Sequence, residues 1–82
     1  MKIKAKPAQR KKEVVLIKTE FIRLDAFLKF QGIAETGGFA KTIILDEKVK
    51  VNGELCTARG KKLRNGDIVS VFSTDYEIKN ES

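Results

Sequence analysis

The stretch from Arg23 to Gly53 constrains the fold more than any other part of the chain. Leu24, Phe27 and Leu28 fall on one face of a helix, because residues three and four apart stack above one another. Gly32 ends that helix or lies just past it. Thr36 is placed to cap a second helix, in which Phe39, Ala40, Ile43 and Ile44 repeat the helical spacing. That spacing favours a core position for Phe39 beside Ile43 over an exposed ring that stacks on a base. The link from Gly32 to Glu35 is brief, so the two helices must be neighbours. Val49-Lys50-Val51 then alternates like a half-buried strand, and Asn52-Gly53 supplies the positive φ angles of a two-residue hairpin turn. The apolar stripes hold two helices against a sheet and leave Arg23, Lys29, Lys41, Lys48 and Lys50 mostly outside.

The flanking sequence supplies the sheet. Val14 to Ile17 is mostly β-branched and reads as a strand over about residues 13–19. Phe21 and Ile22 are expected to dock on the core just before the first helix. Glu54 to Thr57 is the return strand after the turn. Ala58 to Arg64 reads as a projecting loop with four basic residues, Arg59, Lys61, Lys62 and Arg64. Asn65-Gly66-Asp67 turns into a strand over Ile68 to Phe72. A last strand spans Tyr76 to Ile78, with Tyr76 as a ring at the edge of the core. The fold class is α+β: two short packed helices against a small, mainly antiparallel sheet of about four to five strands. Residues 1–12 are expected to be a flexible basic arm, 13–79 the folded domain, and 80–82 a frayed end.

Charge narrows the function. The chain carries 17 basic and 11 acidic side chains, a net charge of +6. Residues 1–20 hold seven basic and two acidic groups, residues 21–64 nine and five, and residues 65–82 one and four. Everything before the acidic end therefore attracts a polyanion. The chain has one cysteine, Cys56, and no histidine, so it offers no disulfide, no activated thiol and no cluster of metal ligands. We expect no cofactor, no metal and no catalysis. No signal peptide or apolar spanning run is seen, which makes a cytoplasmic location the expectation.

Thr36-Gly37-Gly38 needs its own explanation, since glycines at a helix start lower helix propensity. Either a phosphate approaches the exposed N–H groups, or the turn packs too tightly to accept a Cβ. Lys29 satisfies the helix dipole at a C-terminus and is equally a candidate contact to a polyanion.

Several of these elements together resemble the S4-type RNA-binding domain. Arg23-Leu24-Asp25, continued by Phe27-Leu28-Lys29, matches the opening of the family's first helix. Gly37-Gly38 to Ala40-Lys41 matches the start of the second, Val49, Val51, Asn52 and Gly53 the strand and turn, and Gly66-Asp67 the last turn. The Arg59-Gly60-Lys61-Lys62-Leu63 loop is similar to that of the small stand-alone bacterial members of the YaaA type. Many members carry Ser-Arg where this chain has Gly37-Gly38, which shifts contacts towards backbone N–H groups and the Arg59 loop. The resemblance covers Val14 to Ile78 and implies an S4-like (αL-type) module.

The combined expectation is a monomeric, non-catalytic protein that recognises structured RNA, ribosomal or transfer, by backbone shape and phosphate contacts. A ribosomal particle is the natural partner, with no membrane and no small-molecule substrate. The candidate contacts are Arg23, Lys29, Gly37, Gly38, Lys41, Lys50, Arg59, Lys61, Lys62 and Arg64. Two rivals stand beside it: a DNA-binding or replication-associated accessory protein, and a protein–protein adaptor that uses Val14 to Ile17 as an exposed edge.

Overall fold

The computed structural model describes residues 10–81. Seven strands and two helices follow in the order β1 (Lys11–Ile17), β2 (Phe21–Arg23), α1 (Leu24–Phe30), α2 (Gly37–Leu45), β3 (Val49–Val51), β4 (Glu54–Leu55), β5 (Lys62–Arg64), β6 (Ile68–Val71) and β7 (Thr74–Asn80). Five strands make one sheet in the order β1-β7-β6-β3-β4, antiparallel throughout except that β1 runs parallel to β7. The other two, β2 and β5, form a separate antiparallel ribbon. The α+β class and the mostly antiparallel sheet of about five strands stand as expected.

Alternation fixes which face of the sheet is inside. Val15, Ile17, Val49, Val51, Val69, Val71 and Ile78 point to the core, where they meet Leu24, Phe27 and Leu28 of α1 and Ala40, Ile43 and Ile44 of α2. The Tyr76 ring meets the Phe27 ring edge-on, with centroids 5.4 Å apart, which places it at the core margin. Lys12, Val14, Leu16, Lys50 and Glu77 alternate out of the core onto the opposite face.

Local chemistry explains the joints. Gly32 sits just past α1 at φ +75°, a conformation that glycine adopts without penalty. The Thr36 hydroxyl oxygen accepts from the Phe39 N–H at 3.1 Å, the expected cap of α2. Asn52 and Gly53 both have positive φ, 53° and 85°, as a type I′ hairpin turn requires. Asn52 also clasps the next turn. Its Nδ2 donates to Asp67 at 3.1 Å and its Oδ1 accepts from the Ile68 N–H at 2.9 Å. Asp67 in turn accepts from the Arg64 N–H at 2.8 Å. The Asn-Gly and Gly-Asp signatures are thus two halves of one hydrogen-bonded joint.

Four expectations are corrected. Phe39 is 51% exposed and not in the core. It lies roughly 40° from Ile43 around the helix, but at the rim of the apolar arc and in the first turn. Lys62–Arg64 is a strand and not part of a projecting loop, because Leu63 alternates into the core and is fully buried. Phe21 and Ile22 are both half-buried in β2, but their side chains take opposite faces of the strand and only Ile22 packs against the core. Strand bounds also move: β1 already includes Lys11 and Lys12, which pair with Thr74 and Asp75, and β7 continues to Asn80. Of the expected basic arm, residues 1–9 lie outside the described residues.

Candidate nucleic-acid interface

The start of α1 is the centre of the basic surface. Its cap residue, Arg23, makes no side-chain capping bond to the backbone N–H groups of the first turn. The free N–H groups of Leu24 and Asp25 donate instead to the carbonyls of Lys61, at 2.8 Å, and Arg59, at 3.1 Å. The Ala58–Lys61 loop therefore closes α1 with its backbone and leaves its charged side chains in solvent. Asp25 is structural in the way its position suggests: Oδ1 accepts from the Ala26 N–H at 2.8 Å and Oδ2 pairs with Arg23 at 3.1 Å. A Cβ on Gly60 would stand 3.8 Å from the Arg23 guanidinium, so loop and helix cap are in contact range.

The ribbon continues this surface. Phe21 pairs with Arg64 and Arg23 with Lys62, and all four side chains share its outer face because Ile22 and Leu63 take the inner one. Arg23, Arg59, Lys61, Lys62 and Arg64 are thereby brought together around the beginning of α1. Composition had marked the cations but not the ring among them. The usable signal was the pattern Lys62-Leu63-Arg64, one apolar residue between two charges, which is strand alternation.

Gly37, Gly38 and Lys41 lie on α2, all exposed, with Lys41 one turn beyond the glycines. A Cβ on Gly37 would meet nothing within 4 Å, and one on Gly38 only the Thr36 hydroxyl at 3.9 Å. Neither glycine has a positive φ. The close-packing explanation of Gly37-Gly38 is thus removed: nothing within the described residues excludes a side chain there. Thr36 caps the Phe39 N–H and its carbonyl accepts from Ala40, while the N–H groups of Gly37 and Gly38 have no partner among the described residues. Exposed Phe39 flanks this turn.

Lys29 is exposed in the last turn of α1. Lys50 is not brought together with the others. It points away from the core on β3 and lines a hollow with Arg10, Lys48, Ser70, Phe72 and Asp75 on the other side of the sheet. In that hollow the Ser70 hydroxyl and then the Arg10 guanidinium hold the Asp75 carboxyl below its ordinary range. Cys56 is half-buried and unpaired, with Sγ 3.7 Å from the Ala58 carbonyl. Among the described residues no group of His, Cys, Asp or Glu is arranged to hold a metal, and no helix is long and apolar enough to cross a membrane.

Comparison with known proteins agrees with this architecture. The family model described as "S4 domain" matches residues 15–79, from β1 through β7. Over 57 residues the chain is 40% identical to the "Probable ribosome maturation protein RlbA" of Bacillus subtilis (strain 168), a match that covers 70% of this chain and 80% of that protein. The family match spans both helices, the ribbon and the Asn52–Asp67 joint, so the chain belongs to the S4-domain family.

Proposed function

We propose that this chain binds structured RNA, ribosomal or transfer, by reading backbone shape and phosphate position. Membership of the S4-domain family makes it a non-catalytic binding protein. The observation that carries the proposal is the assembly of Arg23, Arg59, Lys61, Lys62 and Arg64 around the start of α1 by backbone bonds and strand pairing. A-form RNA hides its base edges in a deep, narrow groove, so a cationic surface of this kind meets phosphates and 2′-hydroxyls. Arg59 is suited to fork onto one phosphate, while Lys61 and Lys62 act as point charges. Gly37 and Gly38 add two N–H donors at a helix start, with Lys41 beside them; Lys29 lies at the far end of α1. Lys50 faces away and is left out of the main surface.

The similarity to a protein named for ribosome maturation supports a ribosomal particle as the setting. A monomer in the cytoplasm, akin to the small stand-alone bacterial members of the family, fits the same reading. The test is ultraviolet crosslinking in cells with sequencing of the attached RNA, beside an Arg59→Ala/Lys61→Ala variant. Reads concentrated on one ribosomal or transfer RNA and lost in the variant support the proposal. Diffuse reads that the variant leaves unchanged overturn it.

A second reading, protein contact, is favoured by one observation. β1 is an edge strand of the sheet, and Val14 and Leu16 on it are 59% and 54% exposed. Such a contact uses the sheet edge and is compatible with RNA on the helix side.

A further inference from the structure

The outer face of the β2–β5 ribbon holds a charge arrangement that the fold itself does not explain. Arg23 stands directly across from Lys62, and Arg64 lies two residues along the same face. Like charges directly opposite on paired strands ordinarily destabilise the pairing. Asp25 relieves Arg23, but neither Lys62 nor Arg64 has a carboxylate partner among the described residues. Both lie over the same aromatic ring instead. Lys62 Nζ is 4.9 Å and Arg64 Cζ 5.5 Å from the centroid of Phe21.

A ring and a carboxylate in that place have opposite consequences. A carboxylate orders a cation by neutralising it. The face of a ring attracts a cation within about 6 Å and leaves its charge intact. Lys and Arg also lose more rotamer freedom than most side chains when they are fixed, so a cation already held is cheaper to bind. Lys62 and Arg64 are spaced by two strand residues, about 6.8 Å, and Arg23 adds a third charge across the ribbon. The ring thus gathers and orders Lys62 and Arg64 and leaves their charge available, while Arg23, held at one nitrogen by Asp25, stands beside them with its side chain about half exposed.

We propose that Phe21 is a positioning residue that seats Lys62 and Arg64, so that with Arg23 they form an ordered three-cation site for phosphodiester groups. The proposal rests on the RNA-binding reading and extends it to a residue with no charge of its own. Phe21 acts through the two cations and does not stack on a base. The site is insensitive to base sequence and depends steeply on salt.

The experiment measures binding of fluorophore-labelled fragments of bacterial ribosomal RNA over a range of salt concentrations. It compares Phe21→Leu, Phe21→Tyr, Lys62→Ala/Arg64→Ala and the combined triple variant, each with its melting curve. Phe21→Leu keeps an apolar side chain, and the Lys62→Ala/Arg64→Ala pair tests the same site without touching the ring. Two ring contacts of modest strength predict about a fivefold loss of affinity in Phe21→Leu. Phe21→Tyr retains wild-type affinity. Lys62→Ala/Arg64→Ala flattens the slope of log affinity against log salt by about one to two units. Adding Phe21→Leu to that pair costs nothing further, because the ring then has no cation to hold.

An equal loss from Phe21→Leu with and without the cations overturns the proposal and makes the ring itself the contact. No loss in any ribbon variant also overturns it. If Arg59→Ala/Lys61→Ala weakens binding in that case, the RNA reading stands and the ribbon site alone falls. If neither set has any effect, the RNA reading falls with it.

Discussion

Replacing both Gly37 and Gly38 by alanine should make the protein more stable and a poorer RNA binder. Neither glycine has a positive φ, and the new Cβ atoms would meet nothing closer than the Thr36 hydroxyl at 3.9 Å. The native backbone therefore accepts alanine without strain. Each change then removes freedom mainly from the unfolded chain, worth about 0.4–1 kcal/mol. Together they contribute roughly 1–2 kcal/mol, or a rise in melting temperature on the order of 5–15 °C for a domain of this size. Against that, two methyl groups would stand beside the N–H pair proposed to meet a phosphate. Hydrogen bonds to charged groups contribute about 1.5–3 kcal/mol, so weakening one lowers RNA affinity by roughly tenfold. Melting followed by circular dichroism and RNA binding followed by fluorescence anisotropy separate the two effects. A stabilised variant with unchanged affinity refutes the phosphate seat. A destabilised variant refutes the account of open space around the glycines.

Asn52→Ala should destabilise by about 2–4 kcal/mol, because it removes two side-chain hydrogen bonds and puts a Cβ residue without compensation at φ 53°. Urea unfolding measures this, and a cost under about 0.5 kcal/mol would show that the joint with Asp67 is not a structural tie. Phe39→Ala should leave stability nearly unchanged, since the ring is 51% exposed, yet weaken RNA binding by about tenfold if the ring stacks on a base beside the α2 turn. Equal affinity would return Phe39 to ordinary surface. The Asp75 carboxyl titrates below its ordinary 3.8, so its contribution is present above that value and disappears as pH falls through the lowered one. Melting temperature should therefore show no pH dependence through Asp75 down to about pH 5; Asp75→Asn should lower it there by a constant amount and flatten the loss below about pH 4.

Much of the fold was legible because it rests on local rules. Leu24, Phe27 and Leu28 mark α1 by spacing alone, Thr36 caps α2 where its hydroxyl reaches Phe39, and Asn52-Gly53 makes the turn its two φ angles demand. Each of these depends on residues within about one turn of chain. The misreadings all concern longer range. Lys62-Leu63-Arg64 looked like a loop because its partner strand, Phe21–Arg23, lies some forty residues earlier in the chain. Phe39 followed the helical period, but the period gives direction around an axis and not whether a neighbour is there to meet it.

The candidate site divides along the same line. By itself the sequence determined the charge, the order of the motifs and the two helices, since these follow from composition and short-range periodicity. Only the tertiary structure decided which cations stand together. Lys50 shares its strand with core residues yet points to the far side of the sheet. Arg23 and Lys62 are distant in sequence but directly paired. Phe21 gained its two cations the same way, because strand pairing joins residues that no local pattern connects.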